Sequence, residues 1–344
     1  MEEKLFWLGF YLKERNIFKT IKYFSEGIDI KDILKFKNYS EDEIKSLAEK
    51  EFGKAEKLKV KILFIKEDEF PPKLKEINYP PLFIYLRGYL QNKNLIAIIG
   101  SRKPTPYGKE VAYHFSKKLS EEGIGIVSGL ARGIDSIAHK GCLDVKGYTI
   151  GVLGSGIDII YPAENKELFE KILDNNGAII SEFPFSTKPR RENFPIRNRI
   201  ISGISQGIIV IEAGKKSGTL ITAKWALDQG KEVFAVPGSI FSYQSEGTHY
   251  LIKEGAIIVT SPEEILSYFG WKDEKTLISS KQEMDLSEEE KEILSHLSPY
   301  PQHIEEIFIK IDKPPFKILS LLTELELKGL IESLPGRYIK LKKI

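Results

Sequence analysis

Residues 207–236 read GIIVIEAGKKSGTLITAKWALDQGKEVFAV. The apolar runs at the two ends, IIVIEA and EVFAV, carry hydrophobic side chains on successive residues, as strands buried on both faces do. Between them the turn Ser217-Gly218-Thr219 opens a helical segment, TLITAKWALDQG. Strand, small-residue turn, helix and strand make the repeating unit of a parallel α/β sheet. The same grammar recurs three times upstream. LIAIIG runs into Gly100-Ser101-Arg102, GIGIVSG ends at Ser128-Gly129, and YTIGVLG ends at Gly154-Ser155-Gly156. Strands are read at 95–100, 124–128, 148–153, 177–182, 207–212, 232–236 and 256–260, with helices between them. This predicts a doubly wound, mostly parallel α/β sheet.

In such a sheet the turns line the carboxyl edge of the strands. Small residues there leave backbone N–H groups uncovered, and each helix start adds partial positive charge. Arg102, Arg132 and Lys224 sit in or just behind three of the four turns. The edge therefore reads as a phosphate-binding surface, although small residues at such turns also serve tight packing. It is not a dinucleotide site: the GxGxxG match beginning at Gly154 has Ile159 in its sixth position and Pro162 where a helix should start. No GxxxxGK[ST] loop occurs either.

Residues 188–203, KPRRENFPIRNRIISG, set Lys188, Arg190, Arg191, Arg197 and Arg199 against Glu192 alone, a local charge of +4. Phe194 interrupts the cations, and Pro195 suits a first helical turn. On a helix Arg197 and Arg199 point about 200° apart, so one can face the phosphate edge while the other braces the loop. Cations interleaved with aromatics fit a single-stranded nucleic acid better than a duplex, with Tyr107 or Phe194 available to stack bases.

Outward from this centre, the first sixty or so residues read as four short amphipathic helices, with Ser40 and Glu43 spaced as a capping box. A connecting stretch follows, broken by paired prolines at 71–72 and 80–81. The expected boundaries are a helical domain at 1–66 (sterile-alpha-motif or helix-hairpin-helix in type), the α/β domain at 67–270, a polar linker at 271–284, and a winged-helix-like domain at 285–344. From Asp285 onward nine Lys/Arg face eleven Asp/Glu, a net of −2, so that last domain is expected to dock on protein rather than duplex DNA. The whole chain carries a net charge of only +2, which makes any grip on a polyanion a local patch. One cysteine, Cys142, excludes an internal disulfide framework and a Cys-based metal cluster. The first residues lack the pattern of a secretory signal, and no apolar run is long enough for a membrane span, so a cytoplasmic protein is expected.

The ordered motifs IAIIGSRKPTPYG, SGLARGIDSIAH, TIGVLGSGIDIIYPAEN, SEFPF, FPIRNRIISG, SGTLITAKWALDQG, EVFAVPGS and GTHYLIKEGA resemble the DNA-processing protein A family (DprA/Smf) over about residues 68–262. The resemblance implies an extended Rossmann-like domain that holds single-stranded DNA in a basic pocket, dimerises and loads the RecA recombinase during transformation, without cofactor or metal. It puts pocket positions at Arg102 and Lys166. The residues themselves add Arg132, Arg197, Asn198, Arg199 and Lys224, with Gly100, Ser101, Gly129, Gly133, Ser217, Gly218 and Thr219 supplying backbone or hydroxyl contacts. His249, Tyr250, Leu251 and Ile252 are expected at a homodimer interface.

The alternative is a nucleotide-processing enzyme on the same fold. Glu182 and Glu212 end strands on the phosphate edge, and Asp135 and Asp158 follow glycine turns. The related phosphoribohydrolases carry a glutamate about where Thr222 stands here, which argues against hydrolysis. Glu182 and Glu212 are expected to take loop N–H groups or to pair with Arg197 or Arg199. The histidines at 114, 139, 249, 296 and 303 show no metal spacing, and His139 is expected to pack or cap a helix.

Overall fold

The computed structural model describes residues 2–271, 287–298, 301–311, 313–328 and 330–341. They fall into two compact units, 1–271 and 272–344. The chain opens with four helices: α1 (Glu2–Glu14), α2 (Ile17–Ser25), α3 (Ile30–Lys37) and α4 (Glu41–Lys57). Asn16 and Asp29 cap α2 and α3, their side chains accepting from Lys19 N and Lys31 N. Ser40 stands at the cap of α4 without a side-chain bond, and the Glu43 side chain pairs with Lys13 of α1, so the expected capping box is not formed.

The connecting stretch holds two strands that the sequence reading missed, β1 (Lys61–Phe64) and β2 (Phe83–Gly88), separated by the one-turn α5 (Pro72–Lys75). The alternation then follows: β3 (Leu95–Ile99), α6 (Pro106–Glu121), β4 (Gly125–Ser128), α7 (Ile134–Asp144), β5 (Thr149–Leu153), α8 (Lys166–Asp174) and β6 (Ala178–Ser181). Its second half is α9 (Asn193–Ile204), β7 (Gly207–Val210), α10 (Gly218–Asp228), β8 (Glu232–Ala235), α11 (Glu246–Lys253), β9 (Ile257–Ile258) and α12 (Pro262–Tyr268).

The sheet therefore has nine strands, in the order β1-β2-β6-β5-β4-β3-β7-β8-β9. All seven expected strands are present and parallel, and the two extra ones join antiparallel on the β6 edge. The order runs outward from β3 one way through β6 and the other way from β7 to β9, so the strand sequence reverses between β3 and β7. Residue parity sorts the core. Ile96 and Ile98 of β3 face α6, α7 and α12, while Leu95, Ala97 and Ile99 face α5, α9, α10 and α11. Each fully buried Ile or Leu contributes about 1.5–3 kcal/mol.

Residues 1–66 do not keep a core of their own. Phe6, Trp7 and Phe10 of α1 share one cluster with Phe64, Phe83 and Tyr85 of the edge strands and Phe169 of α8. The expected 271–284 linker lies, Trp271 apart, outside the described residues. Trp271 stacks on Phe269 at 4.4 Å. The second unit is a winged helix with its own core: α13 (Glu288–His296), α14 (Ile304–Lys310) and α15 (Pro315–Leu327) around Ile307, Ile318 and Leu325, with the small sheet β10 (Gln302–His303), β12 (Tyr338–Leu341) and β11 (Ile331–Leu334). No helix among the described residues is long and apolar enough to cross a membrane.

Candidate functional site

The crevice expected at the reversal between β3 and β7 is filled by the protein itself. Glu212, buried at the end of β7, accepts from Thr105 N at 2.9 Å and from Thr105 Oγ1 at 2.5 Å. The opening lies further along, over the ends of β3, β4 and β5. There Arg102, Gly129, Arg132, Gly154, Tyr161 and Phe194 line a small, partly open cleft. Phe194, in the first turn of α9, is its aromatic wall. The Arg102 guanidinium lies 5.1 Å from the ring centre and that of Arg197 lies 5.9 Å away, while Tyr161 meets the ring at 5.9 Å. A cation on an aromatic face gains from the ring quadrupole.

The two arginines have opposite circumstances. Arg102 is exposed and available to a ligand. Arg197 is 3% exposed and lies beneath the cleft. Its Nη1 donates to Gly129 O at 2.8 Å and to Val152 O, and its Nε donates to Asn198 Oδ1 at 3.3 Å. Buried Asp135, in the first turn of α7, accepts Gly129 N–H at 3.1 Å. Burial pushes Arg197 down to about 10, with Asp135 opposing the shift and Arg102 adding to it. Burial likewise raises the Asp135 carboxyl, against the pull of Arg197. Only glycine fits at 129: a Cβ there would stand 2.6 Å from Arg197 Nη2 and 2.7 Å from Asp135 Oδ2. Gly133, at φ +78°, lets the start of α7 close on the β3 turn, where Ile134 N bonds Ser101 O at 3.1 Å.

Several expected contacts are corrected by this geometry. Arg199 cannot reach a ligand. It is fully buried, donates to Glu182 Oε1 at 2.6 Å and lies 5.8 Å from the Phe18 ring. Arg197 is likewise spent internally. Gly129 offers no amide, since Asp135 holds it. Asn198 is half-buried against Arg197. Arg132 is exposed but bound to Glu164, Nη2 to Oε2 at 2.8 Å, a pair that raises the arginine pKa and lowers that of the glutamate. Gly100 and Ser101 end β3 beside Arg102, and the Ser101 hydroxyl accepts Lys103 N–H at 3.0 Å. Ser217 caps α10 by accepting Thr219 N–H, Thr219 is buried, and Gly218 is open. These three, with exposed Lys166 and Lys224, stand outside the cleft lining. Ser217 caps α10 directly, whereas α6, α7 and α8 begin at Pro106, Ile134 and Lys166, several residues beyond the glycine turns that precede them.

The carboxylates are occupied. Glu182 and Glu212 pair as expected, and Asp158 accepts Ser186 N–H at 2.9 Å, bracing the loop before α9. That loop displays exposed Lys188, Arg190 and Arg191. His139 is buried, donates from Nδ1 to Thr149 Oγ1 at 2.7 Å, and is held neutral by burial with its pKa down to about 3. Tyr161 is a cleft residue that sequence reading missed, with Ala131 and Pro162; its place in IIYPAEN carried no periodic or charge signal. In the expected dimer segment Leu251 is a core residue and cannot meet a partner, Ile252 is half-buried, and His249 Nε2 donates to Gly238 O at 3.1 Å. Tyr250 is exposed.

Fold and site together define a doubly wound α/β protein with a cationic, aromatic-walled cleft on the carboxyl rim of its sheet; a separate unit later in the chain is a winged helix. Residues 61–270 match the family of the DNA recombination-mediator protein A, and residues 279–337 match the DprA winged helix domain. The chain belongs to the DNA recombination-mediator protein A (DprA/Smf) family. It is 40% identical to Protein Smf of Escherichia coli over 282 residues, 80% of this chain and 75% of that protein. It is 45% identical to DNA processing protein DprA of Bacillus subtilis over 204 residues, 58% of this chain and 68% of that one. Among solved structures, DprA from Streptococcus pneumoniae superposes with a TM-score of 0.62 at 32% identity, covering 78% of this chain and 93% of its own. DNA processing protein A from Helicobacter pylori, described for its single-stranded DNA binding mode, superposes with a TM-score of 0.56 at 29% identity, covering 61% and 95%.

Proposed function

We propose that this chain binds single-stranded DNA across the β3–β5 cleft with little regard to sequence, and as a homodimer delivers it to a RecA-type recombinase. The carrying observation is the exposed Arg102 guanidinium seated on the Phe194 wall of an otherwise self-satisfied rim. A phosphate can pair with Arg102 and with the cations of the 188–191 loop, while a base meets Phe194 or Tyr161. Stacking of this kind contributes about 1–3 kcal/mol per base and suits any base. The Helicobacter pylori neighbour, which is described as binding single strands, supports the reading. Binding without catalysis is favoured because Glu182, Glu212, Asp135 and Asp158 all serve internal bonds. The test is a binding isotherm with single-stranded and duplex oligonucleotides at two salt concentrations, beside incubation with nucleoside monophosphates. Tight, salt-dependent binding of the single strand without base release supports the proposal; turnover of a monophosphate overturns it.

The winged helix is read as a protein-docking module. Its third helix, where a major-groove reader needs phosphate-neutralising charge, exposes Phe316, Leu319 and Leu327 beside Glu324 and Glu326.

A further inference from the structure

We propose that Arg197 is a positioning residue: buried near Asp135 beneath the cleft, it fixes the Gly129 floor and the Phe194 wall and touches no DNA. This rests on the reading of the cleft given above. Phe194 and Arg197 are three apart on α9, so the guanidinium lies under the same face of the helix as the ring. From there it ties three elements together. It holds Gly129 O at the end of β4 and Val152 O in β5, and it faces the Asp135 carboxylate at the start of α7, which takes the other polar group of Gly129. Both backbone groups of the cleft floor are thus held by two buried side chains of opposite charge, and the wall rises from the helix that carries the arginine. A ring fixed in advance need not be ordered when a base arrives, and that saving appears as affinity. A guanidinium that is 3% exposed releases no counterion to solvent when DNA binds.

Two signatures separate this role from a phosphate contact. Arg197→Met should weaken binding to a single-stranded oligonucleotide about tenfold, within what one stacked base supplies. It should leave the log–log salt slope unchanged, whereas Arg102→Ala should lower the slope by about 0.7. In a Phe194→Ala background Arg197→Met should cost little more, because the arginine acts through that ring. Arg197→Lys should not restore affinity, since an ammonium keeps the charge but not the planar fork. Gly129→Ala drives a methyl against both Arg197 and Asp135 without changing any charge, and should reproduce the affinity loss at constant slope; it decides the matter if Arg197→Met fails to fold. A slope that falls as in Arg102→Ala, a loss additive with Phe194→Ala, rescue by lysine, or full affinity in Gly129→Ala would each overturn the proposal. Failure of the unmodified chain to bind the oligonucleotide would instead overturn the reading of the cleft.

Discussion

Replacing Arg199 by methionine tests how α9 is anchored. The Arg199 and Glu182 side chains are 0% and 3% exposed and meet at 2.6 Å. Among the described residues Glu182 Oε2 and Arg199 Nε have no hydrogen-bond partner, so the pair is under-satisfied even when intact. Removing one member of a buried pair strands the other charge and costs about 3–5 kcal/mol. Arg199→Met should therefore lower the urea midpoint of the full chain by that free energy divided by the measured m-value. Burial already raises the Glu182 carboxyl, and loss of the arginine raises it further. A stranded carboxylate is relieved by taking up a proton, so the penalty should shrink as pH falls from 8 toward 5. Arg199→Met with Glu182→Leu removes both charges and should recover most of the stability. Tyr11 donates to Glu182 O at 3.0 Å and Phe18 stands against Arg199, so the single variant should also raise amide exchange in α1 and α2. A loss below about 1 kcal/mol, or a reduced salt slope of DNA binding at unchanged stability, would show that Arg199 serves the ligand rather than the fold.

Other expectations follow from single residues. Arg102→Ala should weaken binding to every oligonucleotide sequence alike and flatten the salt slope by about 0.7; an unchanged slope removes Arg102 from the site. His139 binds its proton near pH 3 when folded and near 6.5 when unfolded, so its contribution is complete above pH 6.5 and lost as pH falls from there toward 3. His139→Asn should flatten the stability–pH curve in that window, as read by denaturant titration at several pH values. Leu251→Ala should cost about 2–5 kcal/mol as a core truncation, while Tyr250→Arg should leave the melting temperature intact and reduce self-association in sedimentation. Deleting the residues after 284 should leave oligonucleotide affinity within about twofold, because that unit lacks the charge a DNA reader needs; a large loss would place DNA on the winged helix.

The parallel strands were legible because both faces of each are buried, which leaves unbroken apolar runs such as LIAII and GIIV. The edge strands β1 and β2 were not. Each is short, and the paired prolines at 71–72 and 80–81 between them signal a loop. The place of Arg102 in an exposed turn and the internal engagement of Glu182 and Glu212 could be read from turn chemistry. That both arginines are buried could not: a 200° separation says that two side chains diverge, and a carboxylate was expected for one of them, but Arg199 is closed on Glu182 and Arg197 on the carbonyls of Gly129 and Val152. Arg132 looked free because its partner, Glu164, is supplied from thirty-two residues away. Charge counts locate cations, and burial decides which remain available.

The most direct measurement is a crystal structure of the full chain with a short oligothymidylate. The strand should cross the ends of β3 to β5, with a phosphate in hydrogen-bond reach of Arg102, a base against Phe194, and Arg197 still closed beneath on Gly129. A strand bound on another surface with this cleft vacant, or Arg197 turned outward onto a phosphate, would contradict the account.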